Sequence, residues 1–227
     1  MSGEHDDGTS LTSRLLGWVR GGSVPLPPGG RDAGPPVGTK VLDRFLRALS
    51  SVESPSLLDL GPVVGSNVSF FGEQLGCKLQ VEDLYADIER MAATHATDTW
   101  PAFLEARFTY PVDSFDGILC WDVFDYLDKT AAQTLGRVLA ERLKPGGALL
   151  AFFQTTANPA PQYTKYVIVD PGHLQHRVWP AAEGRRTVFQ NRDIDRLFPG
   201  LSVTESFLML NRTREILFRR RSTPSAP

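Results

Sequence analysis

The sequence predicts an α/β protein whose doubly wound, mostly parallel sheet closes with an antiparallel hairpin. Three observations predict it. Between residues 39 and 154, short apolar runs alternate with stretches of helical periodicity, the pattern of parallel strands joined by crossover helices. One run, LLDLGPVVGSN at 57–67, passes from a strand through a glycine-bearing turn into a helix, the place where open α/β sheets hold ligands. Near the C-terminus, LSVTESFLML and REILFRR are separated only by NRT, and so short a gap joins antiparallel strands.

The elements follow in order. Residues 1–38 include GGSVPLPPGGRDAGPPVG, too rich in glycine and proline to build a core, and read as a linker or disordered arm. Within it Leu11, Leu15, Trp18 and Val19 recur at helical spacing. They make a short amphipathic helix that docks on its own domain, a partner or a membrane surface, the first being the simplest. The domain proper spans 39–221, and 222–227 is a disordered tail. Val41, Leu42, Phe45, Leu46 and Leu49 mark one helix face. SLLDL is a strand, and Ser66 or Asn67 caps a helix carrying Val68, Phe71 and Leu75. CKLQVEDLY is a second strand, DIERMAATHA a helix and FDGILCW a buried strand. In KTAAQTLGRVLAERL, Ala131, Leu135, Val138, Leu139 and Leu143 face inward. KPGG then turns the chain on Gly146 or Gly147 into the strand ALLAFFQ. Residues 157–187 carry prolines, tyrosines and histidines without clear periodicity and read as an irregular segment on the ligand side of the sheet, a substrate lid. NRDIDRLFPG is a short helix capped by Asn191 and ended by Gly200.

Composition narrows the class. A chain of 227 residues, 41% hydrophobic and 22% charged, makes one large domain or two small ones. A net charge of −2 gives no general attraction to nucleic acid or anionic membrane. Cys77 and Cys120 sit among apolar residues and make neither a disulfide framework nor a metal site. No apolar run approaches the ~20 residues that cross a bilayer. The start, MSGEHDDGTS, lacks the basic and apolar regions of a signal peptide, so the expected location is the cytoplasm.

The 57–67 turn selects its ligand. A dinucleotide site needs G-x-G-x-x-G because the pyrophosphate presses on bare backbone, whereas Val63 and Val64 stand between Gly61 and Gly65. A ligand with an adenosine and no phosphate, such as S-adenosylmethionine, makes weaker demands. Asp83, 22 residues after Gly61 at the end of the second strand, has the spacing of a ribose-binding acid. Alternation sends the adjacent Glu82 to the opposite side. The structural alternative is that either acid caps the following turn.

From about residue 39 to 220 the chain resembles class I S-adenosylmethionine-dependent methyltransferases of the type 11 group. LLDLGPVVG is similar to the first cofactor motif, VEDLYADI to the acidic second motif, YPVDSFDGILCWDVFDYL to the stretch around the fourth strand, and LKPGGALLAFF to the approach to the fifth. The resemblance implies a Rossmann-like sheet of seven strands with an antiparallel strand in the C-terminal hairpin. It also implies S-adenosylmethionine as cofactor and a small-molecule methyl acceptor, with no nucleic acid and no integral membrane association. Carried over by position, Asp59 and Gly61 line the methionine end, Gly65 closes the turn and Asp83 holds the ribose. Arg107 and Phe108 pass near the adenine, and Cys120, Trp121 and Asp122 face the sulfonium and the acceptor. Val63 departs from the family, which commonly has glycine there.

Methyl transfer needs an aligned acceptor and, for a hydroxyl, a base. His173 and His176 in DPGHLQHRVW and Asp122 at the strand end are the catalytic candidates. Two histidines three apart on a loop also fit a surface role, and Asp122 also fits a helix cap. Tyr163 and Tyr166 either line an acceptor pocket or pack the loop down. A Pro-Cys setting and an Asn/Asp-Pro-Pro-Tyr segment are absent, which disfavours cytosine carbon and exocyclic amines as acceptors. The competing functions are a non-catalytic methyltransferase-like binding or regulatory protein and, less favoured, a nicotinamide-dependent oxidoreductase.

Overall fold

Successive residues of a strand serve opposite faces of its sheet, and here they separate two cores. The computed structural model describes residues 31–32, 34–94, 99–182, 184–185 and 187–222. The amphipathic stretch 11–19, His5, His95 and the tail beyond residue 222 lie outside the described residues. The chain runs through β1 (Arg31–Asp32), β2 (Val37–Gly38), α1 (Leu42–Ser50), β3 (Ser56–Asp59) and α2 (Gly65–Ser69), which a π-helical turn, Phe70–Gln74, continues. Then come β4 (Lys78–Val81), α3 (Leu84–Thr94), α4 (Trp100–Arg107), β5 (Phe115–Trp121), a 3-10 turn Val123–Tyr126 and α5 (Lys129–Arg142). The remainder is β6 (Leu143–Gln154), β7 (Gln162–Asp170), β8 (His173–Pro180), α6 (Asn191–Leu197), β9 (Leu201–Leu208) and β10 (Thr213–Arg220).

The main sheet has the order β4-β3-β5-β6-β10-β9. The first four strands pair parallel, and β10 runs antiparallel to both β6 and β9. The expected doubly wound sheet and C-terminal hairpin are therefore present, with six strands among the described residues rather than seven. On one face Leu58, Ile118, Cys120, Leu149, Ala151, Phe153, Ile216 and Phe218 join residues of α3, α4, α5 and α6. On the other, Leu57, Leu119, Trp121, Leu150, Phe152 and Leu217 pack against α1 and the Phe70–Phe71 turn. The approach of α1 is close: a Cβ on Gly117 would come within 2.5 Å of Leu49 Cδ2. Buried Glu215 on β10 pins the start of that helix, its Oε2 accepting from Thr39 Oγ1 at 2.9 Å and from the backbone N–H of Lys40 and Val41 at 2.8 and 3.1 Å.

Four expectations are corrected. Residues 157–187 are not irregular: they hold the β7–β8 hairpin, paired from Gln162↔Pro180 to Asp170↔His173. The arm 1–38 is not wholly linker, because β1 and β2 both add to β8 and make a second, four-stranded sheet with the hairpin. Neither Ser66 nor Asn67 caps α2, which starts at Gly65 behind Val64 without a side-chain cap. Asn191 is the first residue of α6, and the cap is Gln190 in a reciprocal box with Asp193. Of the two glycines offered for the KPGG turn, Gly146 takes the positive φ, 80°, and Gly200 beyond α6 has φ 81°.

Candidate active site

Two loops meet beyond the carboxyl ends of β3 and β5, where the order of strands turns: β4 lies on one side of β3 and β5 on the other. Open α/β sheets bind ligands at such a switch point. Asp59 ends β3 and is buried. Its Oδ1 accepts the backbone N–H of Gly61 at 2.9 Å and the indole N–H of Trp121 at 2.7 Å. Burial lifts its carboxyl from 3.8 to about 6; the two donors pull it back and the charge of Asp83 adds to the rise.

Trp121 ends β5 in a left-handed conformation, φ 48°. Its indole lies against Gly61, where a Cβ would come within 2.6 Å of Trp121 Cδ1. It also stacks on Tyr166 of β7, with centroids 5.2 Å apart and planes 7° apart. Glycine at 61 thus makes room for the chain's own tryptophan. A Cβ on Gly65 would meet no atom within 4 Å, and Val63 is 58% exposed, so neither position packs against the protein. Asn67, just beyond the turn, is buried. Its amide donates to the Tyr166 carbonyl at 2.8 Å and its carbonyl accepts from the Ile168 N–H at 2.9 Å. The turn, the hairpin and the Trp121 indole are thereby tied into one unit.

The two acids after β4 part as alternation requires. Glu82 is buried and paired with Arg107 and the Tyr110 hydroxyl. Asp83 is partly exposed, and its Oδ1 caps α3 by accepting from the Ala86 N–H at 3.1 Å. The N–H groups on either side of it, of Glu82 and Leu84, bond the carbonyls of Asp59 and Leu60 at 2.7 and 3.2 Å, which puts it beside the turn after β3. Arg107 also bonds Asp87 at 3.2 Å and ties α4 to the end of β4. Phe108 and Cys120 are fully buried in the core beneath the opposite face. As folded, the side chains of Phe108 and Cys120 present no surface to the crevice.

Asp122 heads a buried polar cluster. With no exposed surface, it accepts from the Tyr85 hydroxyl and, on Oδ2, from Arg185 Nε at 3.1 Å and Nη2 at 2.6 Å. The Arg185 guanidinium lies over the Tyr126 ring, 5.8 Å from its centroid. Tyr85 packs edge-on to Tyr126 and stacks on Tyr163. Asp125, equally buried, accepts the Gln154 N–H at 2.9 Å through Oδ2 while its Oδ1 has no partner. Burial, then the neighbouring Asp122, pushes its carboxyl well above the ordinary range.

The two histidines separate. His176 pairs with Tyr166 across the hairpin and meets it edge-on at 5.0 Å. Burial lowers its pKa from 6.5 and Arg185 adds to the fall, while Asp122 opposes it. His173 sits exposed at the hairpin turn, Nδ1 3.0 Å from both oxygens of Asp170. Three residues along a strand place it on the opposite face from His176, so it stays outside the cluster. Tyr85, Asp125 and Arg185 are additions that the sequence reading did not single out. Asp125 repeats Asp122 one turn on, but nothing around Arg185 in the sequence announces a partner 63 positions away.

An adenosyl ligand fits two walls of this crevice: the rim at Asp83, and the turn, whose Val63 leaves the protein surface open. At the third wall the Trp121 indole lies where the ligand's methionine end would approach Gly61.

No family model matches the chain, and no curated protein matches it. Similar solved structures include the PH0226 protein of Pyrococcus horikoshii (14% identity, 80% of this chain and 86% of that one, TM-score 0.49). Another is the 1,6-didemethyltoxoflavin-N1-methyltransferase of Burkholderia thailandensis, solved with S-adenosylhomocysteine (13%, 79% and 80%, 0.46). A third is the cyclase SpnF (11%, 80% and 82%, 0.47). Similarity this distant leaves the ligand to be decided by the residues of the crevice.

Proposed function

We propose that the chain binds S-adenosylmethionine between the loops after β3 and β5 and directs its methyl group to a small-molecule acceptor. The observation that carries this reading is the convergence of Asp59, Gly61 and Asp83 on the switch point of the sheet, around a turn with valine where a pyrophosphate would need glycine. The sheet order and closing hairpin agree with the resemblance drawn from the sequence. Asp83 would hold the ribose hydroxyls, and Asp59 with Gly61 would border the methionine end. Once bound, the cofactor supplies a methyl group activated by its sulfonium. The chain has to align the acceptor and take its proton. His176 is suited to the second task, since burial keeps its imidazole neutral and able to accept. Asp122, fixed by Tyr85 and Arg185, sets the charge that His176 faces.

A second reading, a binding or regulatory protein without turnover, is favoured by one observation: the Trp121 indole over Gly61. Incubation with methyl-labelled S-adenosylmethionine and the low-molecular-weight fraction of a cell extract separates the two. Methyl transfer is supported by a labelled small molecule whose yield falls in His176→Gln with S-adenosylhomocysteine binding retained. Ligand binding with no labelled product would leave the second reading.

A further inference from the structure

Resting on the adenosyl reading of the crevice, the geometry points to Trp121 as a gate that an incoming ligand must displace. Two contacts hold it shut, and a strained backbone marks the closed position as one that can be released. The indole N–H is bonded to Asp59 Oδ1 at 2.7 Å, the same oxygen that orders the turn through Gly61. The ring stacks on Tyr166 with planes 7° apart. The backbone of Trp121 is left-handed at φ 48°, a conformation unfavourable for an aromatic residue and tolerated where surrounding contacts over-determine it.

The closed position covers the site. The ring atoms Cδ1 and Nε1 stand 2.6 and 2.8 Å from where a Cβ on Gly61 would be, so nothing larger than hydrogen fits between turn and indole. A ligand reaching Asp59 Oδ1 or the open side of Gly61 Cα has to replace the indole there. Tyr166 is the post against which the gate closes, and it cannot follow the indole freely. Asn67 clamps the backbone that follows Tyr166, at the Tyr166 carbonyl and the Ile168 N–H, and His176 and Phe152 pack on the tyrosine ring. Opening therefore means rotation of Trp121 away from a fixed hairpin. The closed state lowers apparent affinity by the fraction of molecules that are open.

The test is titration of the full chain with S-adenosylhomocysteine, read by calorimetry and by tryptophan emission. The Trp121→Phe protein, which loses the N–H donor, and Tyr166→Leu, which loses the stack, are titrated alongside. Subtracting the Trp121→Phe spectrum isolates Trp121 from Trp18, Trp100 and Trp179. The expected result is a ligand-dependent shift in Trp121 emission and affinity raised about tenfold in Trp121→Phe and in Tyr166→Leu. Equal or weaker binding in both variants, with unchanged Trp121 emission on saturating the wild type, overturns the gate and leaves the adenosyl site standing. No binding by wild type or by either variant overturns both.

Discussion

Asp59 places a carboxylate in a dry setting, and the consequence is measurable. Its folded pKa of about 6 lies above the 3.8 of an ordinary aspartate, so between those values the native state holds a proton that the unfolded chain has released. Stability from this group is therefore greatest at low pH and declines as pH rises through about 6, by about 3 kcal/mol in all. In Asp59→Asn the side-chain carbonyl still accepts from Gly61 and Trp121. The variant is expected to gain about 3 kcal/mol on the wild type between about pH 4 and pH 7 in urea unfolding; parallel curves would contradict the burial of charge. Asp83 both caps a helix and faces the crevice, and Asp83→Asn separates the roles because asparagine caps as well as aspartate. Stability should hold while S-adenosylhomocysteine affinity drops at least tenfold, through loss of charge-assisted bonds of about 1.5–3 kcal/mol each. Arg185→Ala leaves Asp122 buried and unpaired, and should lower unfolding stability by about 3–5 kcal/mol. A loss under about 1 kcal/mol would show that water reaches the cluster.

The β7–β8 hairpin is where sequence and structure differ most. Its buried face is built from Thr164, Tyr166, Ile168 and Leu174, so apolar periodicity is diluted by residues that look polar. The signal that remained was β propensity, from the run of Tyr, Thr, Val and Ile in QYTKYVIVD. Amide exchange distinguishes fixed structure from a lid. The ladder amides of 164–168 and 174–178 should be strongly protected in the ligand-free protein, and fast exchange there would restore a mobile cover. Asn67→Ala removes two buried bonds to the hairpin backbone and should reduce stability by about 1–3 kcal/mol, with faster exchange at Ile168.

Across the whole molecule, the parallel core was readable because buried strands and amphipathic helices announce themselves by period, as in SLLDL, FDGILCW and the stripe Val41–Leu49. The β9–β10 hairpin was readable from the length of its gap alone. The position of Asp59 and Asp83 followed from where strands end. What was hidden depends on contacts between distant segments: Arg185 on Asp122, Asn67 on Tyr166, and Trp121 turned onto Gly61 by a backbone conformation that no local pattern requires. These tertiary contacts surround the crevice, and the central claim is that the crevice takes an adenosyl ligand without a pyrophosphate. Calorimetric titration of the full chain with S-adenosylhomocysteine and, separately, with NAD tests it most directly. S-adenosylhomocysteine is expected to bind one per chain and to stabilise the fold by about 2.7 kcal/mol at a hundred times its Kd, with no binding heat from NAD. Saturable binding of NAD with none of S-adenosylhomocysteine would contradict it.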